Sequence, residues 1–205
     1  MKLPLLKTGI LVIAICLSLA ACKKDEPAKK NSFKYNQKEA EINTALGLQF
    51  GESSATGIYA IGMEFFEKTL TIHYANNYPD SLSGKGDVLL VSFLTNSLNS
   101  IPAGVYDYLP SNAAMKTFSI VGDGESGLLI NLDFSSSDDP STLEVSGGKV
   151  TVGRSGDEYE FTFDLKTTVN TNITGYYKGK PVIYSDKKKK SGVNPIWFPQ
   201  AGLLN

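Results

Sequence analysis

A period-two alternation of apolar and polar residues is the feature that most limits how this chain folds. The clearest stretch, Tyr159–Leu165, has the sequence YEFTFDL, and Leu128–Phe134 repeats the pattern as LLINLDF. Successive side chains of a β-strand point to opposite faces, so each stretch predicts a strand with one buried and one wet face. We therefore expect Phe161 to point into a core and Asp164 to point into solvent.

Further alternating stretches lie between clusters of turn-forming residues. These clusters are Asn76–Asp80, Ser83–Asp87, Gly122–Glu125, Ser135–Pro140, Gly147–Gly148 and Ser155–Asp157. Val88–Leu94 is apolar on both faces apart from Ser92, which is typical of a central strand. Only Lys38–Leu46 carries a weak helical pattern. We predict an all-β domain of about ten antiparallel strands, closed as a barrel or folded as a sandwich.

The N-terminal segment has the composition of an export signal. Two lysines precede an apolar run, Ile10–Ala21, which is much shorter than the ~20 residues that a membrane-spanning helix needs. The run ends in Leu19–Cys22, LAAC, which resembles the lipobox of bacterial lipoproteins. This resemblance implies that residues 1–21 are removed and that Cys22 carries the lipid.

Removal of that signal leaves a nearly neutral chain without a usable thiol. Cys16 lies inside the signal and Cys22 bears the lipid, so we expect no disulfide in the domain. Removing Lys2 and Lys7 from the 20 Lys and Arg leaves 18 against 21 Asp and Glu, so the formal net charge is −3. This balance lacks the basic excess of nucleic-acid-binding proteins. We expect contact with a membrane through the lipid and none with nucleic acid.

Residues 22–32 form a charged segment without apolar periodicity, which predicts a flexible tether. Within it, Lys24, Asp25 and Glu26 resemble the signal that exports lipoproteins of the Bacteroidota type to the cell surface. The resemblance implies an outer-membrane protein that is exposed at the cell surface. A plain solvated linker is the alternative interpretation.

The late strands resemble those of a known group of proteins. Gly148–Val152, Tyr159–Asp164 and Asn172–Gly179 have the strand and glycine spacing of the closing hairpins in small all-β lipoproteins of Bacteroidota. Members of that group, mostly of unknown function, are described as calycin-like barrels or sandwiches. The resemblance therefore favours a barrel-like closure and transfers no catalytic residue.

Catalytic and metal-binding patterns are few. His73 is the only histidine, and we expect it to face outward on a strand, while Cys22 is taken up by the lipid. Nucleophilic triads and zinc sites therefore lack their usual residues, and no glycine-rich phosphate motif is present. Asp123–Glu125 and Asp138–Asp139 lack the spacing of an EF-hand calcium loop. We predict no catalytic residue, no metal and no cofactor.

Outward carboxylates leave one catalytic alternative open. Asp133, Asp164, Glu158 and Glu160 lie on the polar faces of predicted strands. A solvated sheet face explains them, whereas two carboxylates at the right separation would serve glycoside hydrolysis.

Three aromatic residues are candidates for ligand contact. Tyr176 and Tyr177 are adjacent, so in a strand one of them must face outward. Trp197 lies in a proline-flanked tail, where it either caps an open end of the barrel or sheet or offers a platform to a sugar. The basic run Lys187–Lys190 is a solvated loop or a contact for anionic lipid or polysaccharide. Ser81, within DSL, resembles the O-glycosylation acceptor of the same bacterial group and lies in a predicted exposed turn.

The function predicted from these observations is that of a lipid-anchored envelope protein with a non-catalytic binding or structural role. Its partner would be a glycan or another envelope protein. A carboxylate-dependent glycan hydrolase and a barrel that carries a small apolar ligand are the alternatives. A filled aromatic interior would favour the first interpretation, and an open pocket with facing carboxylates would favour the enzyme. The predicted organisation is a signal peptide (1–21), a lipidated cysteine with tether (22–32), an all-β domain (33–186) and a basic loop with C-terminal tail (187–205).

Overall fold

The structure, a computed structural model, describes residues 28–122, 124–136 and 139–185. Within these residues there are twelve strands and no helix, so none of them lies in a helix able to cross a membrane. The strands are β1 (Ser32–Tyr35), β2 (Lys38–Glu52), β3 (Tyr59–Glu67), β4 (Leu70–Ala75), β5 (Tyr78–Thr95), β6 (Gly104–Leu109), β7 (Ser119–Val121), β8 (Gly127–Asp133), β9 (Ser141–Ser155), β10 (Glu158–Thr167), β11 (Asn172–Gly179) and β12 (Val182–Ser185). The predicted all-β class is confirmed.

Nine of these strands close into a barrel. The order around the wall is β1, β11, β10, β9, β6, β7, β5, β3 and β2, and β2 then pairs with β1 to complete the ring. β8 bridges β5 and β9 beside β6 and β7, while β12 pairs with β2 farther along the strand than β1 does. The domain is therefore a barrel rather than an open sandwich. Closure also pairs wall strands that would otherwise present free edges.

The pairings depart from the sequence-based expectation at two points. The β6–β7 and β2–β12 pairs are parallel, so the barrel is mixed and not purely antiparallel. The helical pattern of Lys38–Leu46 is also wrong as a prediction, because this stretch opens β2. There Ala40 and Ile42 reach the core, and pairing with β1 and β3 satisfies the backbone of this stretch. Tertiary pairing outweighs a weak local preference.

Three predicted turn clusters lie wholly or largely within strands instead: Asn76–Asp80 and Ser83–Asp87 fall mainly in β5, and Gly147–Gly148 falls in β9. Only Asn76 and Asn77, with φ of 53° and 64°, form the turn, and β5 begins directly afterwards at Tyr78. Two asparagines with positive φ suit the tight turn of a β-hairpin. Gly84 has a φ of 96°, and a Cβ there would collide with the Thr69 carbonyl oxygen, so this glycine serves a bend within β5.

The bend gives the barrel a projecting arm. We call β4 and residues 78–84 of β5, which pair with each other, the hairpin arm. Its apolar side chains pack against outward-facing residues of the barrel wall in one cluster. That cluster contains Leu70, Ile72 and Leu82 of the arm, Leu46, Phe66, Val88 and Leu90 of the wall, and Leu132 of β8. The arm thus covers part of the outer surface of β2, β3 and β5.

The barrel interior is occupied by one large core cluster. It takes residues from all nine wall strands, which only the inside of the barrel allows. Phe65 of β3 lies at its centre, with ring centroids 5.2 Å from Phe161, 4.8 Å from Phe163 and 5.5 Å from Tyr177. These edge-to-face contacts add to the burial of apolar area that stabilises the barrel. The predicted inward direction of Phe161 is confirmed.

Candidate functional site

One end of the barrel interior holds a cluster of polar and charged side chains, which we call the barrel-end cluster: Tyr35, Lys38, Glu67 and Asp87. Asp87 is 0% exposed and lies at a bulge in the β5–β8 pairing. Its Oδ2 accepts hydrogen bonds from the Tyr35 hydroxyl at 2.5 Å and from Lys38 Nζ at 2.6 Å. Its Oδ1 accepts one from the Asn131 backbone N–H at 3.0 Å. A buried carboxylate with this many donors is satisfied.

Glu67 completes the barrel-end cluster. Its Oε2 accepts the Asp87 backbone N–H at 2.9 Å and lies 3.5 Å from Lys38 Nζ. Burial and the hydrogen bond to Asp87 raise the pKa of Tyr35, so the phenol stays protonated. Desolvation works against the charge of Lys38, but its hydrogen bond and attraction to Asp87 prevail and raise its pKa. Because every charge has a partner, the cluster has the features of a structural closure rather than of a reactive site.

A different buried acid lies on the outside of the wall. Glu64 of β3 alternates with Met63 and Phe65, which face the interior, so its side chain points outward. Its cross-strand neighbours are Leu46 and Leu90, both in the outer apolar cluster. Glu64 is only 7% exposed, and its Oε1 has no hydrogen-bond partner. Burial raises the pKa of Glu64 to about 8, so the acid is mainly protonated at neutral pH.

A second buried acid lies across β5 from Glu64. The backbone carbonyl of Glu125 accepts the Ser92 hydroxyl at 2.9 Å, and Ser126 Oγ accepts the Ser92 backbone N–H at 2.9 Å. These bonds hold Glu125 and Ser126 against β5. Burial raises the pKa of Glu125 to about 7, and its side chain is 6% exposed. Glu64 and Glu125 therefore have the raised pKa values that are typical of general acids, but a substrate could hardly reach either side chain.

The half-buried Tyr176 lies on the opposite, polar part of the wall. Lys29 Nζ lies 5.0 Å from the centre of its ring, and Lys178 on the same strand forms an ion pair of 3.2 Å with Glu158. Burial, followed by the charge of Glu160 and a hydrogen bond to it, raises the pKa of Tyr176. We call these residues, Lys29, Glu158, Glu160, Tyr176 and Lys178, the tyrosine ledge. It offers one aromatic ring surrounded by polar groups, an arrangement that suits a polar ligand.

The structure places the other sequence-predicted contact residues in different environments. Tyr177 faces the interior and is buried, so of the two tyrosines only Tyr176 is available. Ser81 is exposed, but it lies within β5 opposite His73 of β4 and not in a turn, because the hairpin arm continues past the predicted turn. Several predicted residues lie outside the described part of the chain: Cys22, Lys24, Asp25, Glu26, the basic run Lys187–Lys190 and Trp197.

The remaining candidates for chemistry are dispersed. His73 is exposed on β4 as predicted, and its Nε2 is 2.7 Å from Ser83 Oγ. Asp164 is exposed on β10, also as predicted, and Asp133 binds Ser135 in a local turn. Over residues 28–122, 124–136 and 139–185, no group of three His, Cys, Asp or Glu converges as a metal site would require.

Sequence reasoning missed the two most unusual carboxylates. Asp87 falls in a predicted turn cluster, yet it has the same parity as Leu89, Val91 and Phe93, which are all interior residues. Glu64 reads as one polar residue of an alternating strand. The burial of Glu64 could have been inferred from the surrounding sequence AIGMEFF, because its other outward positions carry no charge.

Comparison of the chain with protein-family models, with curated proteins and with solved structures gave no match.

Proposed function

We propose that the chain is a lipid-anchored envelope protein whose barrel has a non-catalytic binding or structural role. The observation that carries this proposal is the interior: Phe65, Phe161, Phe163 and Tyr177 contact one another where a carried ligand would have to lie. A barrel that carries a small molecule needs room inside it. The filled interior argues against the small-ligand alternative and leaves the outer surface for partners.

The start of the described chain supports anchoring close to a membrane. Asn31 Nδ2 donates to the Lys178 carbonyl at 3.0 Å, and the Lys178 backbone N–H donates to Asn31 Oδ1 at 2.8 Å. Together with Lys29 over Tyr176, these contacts hold the chain on the wall from Lys29 onward. Only residues 23–28 then separate Cys22 from Lys29, and these seven Cα–Cα steps span at most ~25 Å when stretched.

The proposed location is the cell surface of the outer membrane. Lipidation of Cys22 would supply the anchor, and Lys24, Asp25 and Glu26 would supply the export signal. Ser81 is exposed on the hairpin arm, where a glycan could be attached without disturbing the core. The tyrosine ledge is the surface that we propose for a glycan or another envelope protein.

The hydrolase alternative has weaker support. Glycoside hydrolysis needs a protonated acid and a second carboxylate that both reach the scissile bond. Glu64 and Glu125 have raised pKa values, but they are 7% and 6% exposed. The exposed Asp164 lies instead on β10, in the polar part of the wall. We therefore do not propose an enzyme.

Lipid labelling of the precursor tests the anchor. A Cys22→Ser precursor should lose incorporation of labelled palmitate and should no longer be retained in the membrane fraction, because it lacks the only thiol at the lipobox. Cys16→Ser is the matched control and should be labelled like the wild type. Continued labelling of the Cys22→Ser chain would contradict the anchoring proposal.

Protease added to intact cells tests the location. Replacing Asp25 and Glu26 together by Ala should protect the barrel from external protease, because the export signal is lost. The control replaces Asp139 and Glu144, two exposed acids of the barrel, by Ala and should leave accessibility unchanged. Equal accessibility of both double variants would contradict surface export by this signal and would leave the lipid anchor untouched.

A further inference from the structure

Glu64 is enclosed between the barrel wall and the hairpin arm. On the outer face of the wall it lies between Leu46 of β2 and Leu90 of β5, its cross-strand neighbours. Both leucines belong to the outer apolar cluster that the wall forms with the arm. Among the described residues, Glu64 Oε1 has no hydrogen-bond partner. The carboxyl group therefore lies in an apolar layer, where ionisation removes hydration without supplying a partner.

The elements packed around Glu64 bring no charge to it. The positions next to it on the outer face of β2, β3 and β5 are Thr44, Leu48, Gly62, Phe66, Val88 and Ser92. The titratable groups of the other elements are His73, Tyr74, Tyr78 and Asp80 on the arm, Tyr184 on β12, the Lys85–Asp133 ion pair, and Glu125 beside Ser92. Burial is the only cause of the raised pKa of Glu64. Its protonation is therefore governed by its enclosure and not by one of these groups.

The arm can leave the wall without breaking the barrel. Within the part of the chain that the structure describes, β4 pairs only with β5, and residues 79–83 of β5 pair only with β4. The arm joins the wall through the exposed Lys68 and Thr69 on one strand and through Gly84, with its φ of 96°, on the other. At its tip, the Tyr78 hydroxyl donates to the Ser185 carbonyl at 3.1 Å. The arm thus has a base that can serve as a hinge and a polar contact at its tip.

We propose that the hairpin arm is a pH-sensitive lid, which opens when Glu64 loses its proton to solvent. Movement about Gly84 and residues 68–69 would give the carboxylate water while keeping every strand pairing of the wall. Opening the wall instead would break barrel pairings, and peripheral elements open at lower free energy than core strands. The opened arm bares an apolar surface around Leu46 and Leu90. This proposal does not depend on the lipid anchor or on the proposed role at the envelope.

The enclosure of Glu64 also sets the size and sign of the effect. With the arm closed, the pKa of Glu64 is about 8, and in the opened arm the hydrated acid regains its ordinary value of 4.5. Below about pH 4.5 both forms hold the proton, so opening is least favourable there. The opening constant rises with pH and levels off above about pH 8. Between pH 6 and pH 9 it should increase by up to ~100-fold.

Hydrogen exchange with mass spectrometry, on the full-length chain in neutral detergent from pH 6 to pH 9, tests the lid. Wild type and Glu64→Gln are compared at each pH, which cancels the intrinsic pH dependence of exchange. For peptides of β4 and residues 79–83, the ratio of wild-type to Glu64→Gln exchange rates should rise ~10- to 100-fold over this range. Glu144→Gln, at an exposed glutamate of β9, is the matched control and should behave like the wild type.

Peptides of β10 distinguish opening of the arm from unfolding of the barrel. They should stay protected in both proteins during the time in which the arm exchanges, because the wall remains paired. A ratio that does not change with pH, or exchange of β10 together with the arm, would overturn the proposal.

Tyr78→Phe separates the contact at the tip from the proposed trigger. It removes the hydroxyl that donates to the Ser185 carbonyl, so arm exchange should rise ~2- to 10-fold, by a similar factor at every pH. Its pH dependence should match that of the wild type, because Glu64 is unchanged. Loss of the pH dependence in Tyr78→Phe would place the trigger at the tip of the arm and would overturn the role of Glu64.

Discussion

The two halves of the barrel wall share one interior and differ on the outside. On β9, β10 and β11, outward residues such as Thr162 and Asp164 are exposed. On β2, β3 and β5, the outward residues Leu46, Glu64 and Leu90 are buried, because part of this surface is covered by the hairpin arm. The difference teaches that alternation along a strand fixes which side chains point inward. Whether the outward side chains are exposed or buried depends on which other segments of the chain pack against them.

The same comparison separates three carboxylates. Asp164 is hydrated, Asp87 is buried with three hydrogen-bond donors, and Glu64 is buried with one oxygen unpaired. Burial of a polar group without partners is unfavourable, so the hydrogen bonds of Asp87 offset its burial, whereas burial raises the pKa of Glu64 and the acid holds its proton. Substitutions at these positions should therefore have different effects on stability.

The largest effect is expected in the interior that both halves share. Phe161→Ala should lower the free energy of unfolding by ~3–5 kcal/mol, because it leaves a cavity beside Phe65 and Phe163. Urea unfolding of a soluble form that begins at Lys23 measures this value. A loss below ~1 kcal/mol would mean that the interior is not packed as described.

The barrel-end cluster should give the next largest effect. Asp87→Asn keeps the shape of the side chain but removes the negative charge beside Lys38 and one acceptor oxygen. We expect a loss of ~1–3 kcal/mol in the same urea experiment, the usual range for a broken buried hydrogen bond to a charged group. Tyr35→Phe removes a single hydrogen bond of the same cluster, and its loss should be smaller than that of Asp87→Asn. The reverse order would contradict the central position of Asp87.

Glu64 should make stability depend on pH. Its pKa is 4.5 in the unfolded chain and about 8 in the folded one, so the folded state binds the proton more tightly. The stability that this proton provides is complete below about pH 4.5 and is lost as the pH rises towards 8. Relative to Glu64→Gln, the wild type should lose ~2–3 kcal/mol between about pH 5 and pH 7.

Glu125 titrates in the same direction but is present in both proteins, so the difference between wild type and Glu64→Gln isolates Glu64. Identical pH profiles would mean that Glu64 is hydrated in the folded state.

The smallest effect is expected on the polar half of the wall. Asp164→Asn should change the free energy of unfolding by no more than ~0.5 kcal/mol, as is usual for an exposed side chain. Urea unfolding again measures the change. A large loss would assign Asp164 a buried partner and would favour the hydrolase alternative over a binding role.

Much of the fold follows from local pattern. The alternation predicts the observed faces of Phe161 and Asp164 on β10 and the opposite directions of Tyr176 and Tyr177, because a strand fixes the direction of each side chain from its position alone. The all-β class follows from many such strands separated by turns, whereas the strand pattern leaves the choice between a barrel and a sandwich open.

The features of the fold and of the site that local pattern does not predict depend on contacts between segments that are distant in the sequence. Gly84 reads as a turn residue, and only its approach to Thr69 shows that it bends β5 into the hairpin arm. In the sequence, Asp87 has the features of a residue in the same turn. Its hydrogen bonds to Tyr35 and Lys38, which lie 52 and 49 residues away along the chain, are visible only in the folded structure. Glu64 is buried in the folded chain although its strand alternates like a half-exposed one, which local pattern does not predict.

Carboxyl labelling tests the difference between the two halves most directly. The folded soluble form is treated near neutral pH with a carbodiimide and an amine, and labelled sites are identified by mass spectrometry. Asp164 should be labelled readily and Glu64 hardly at all, while both should react after unfolding in urea. Labelling of Glu64 at the rate of Asp164 in the folded protein would show that the outer face of β3 is open to solvent, and would contradict this account.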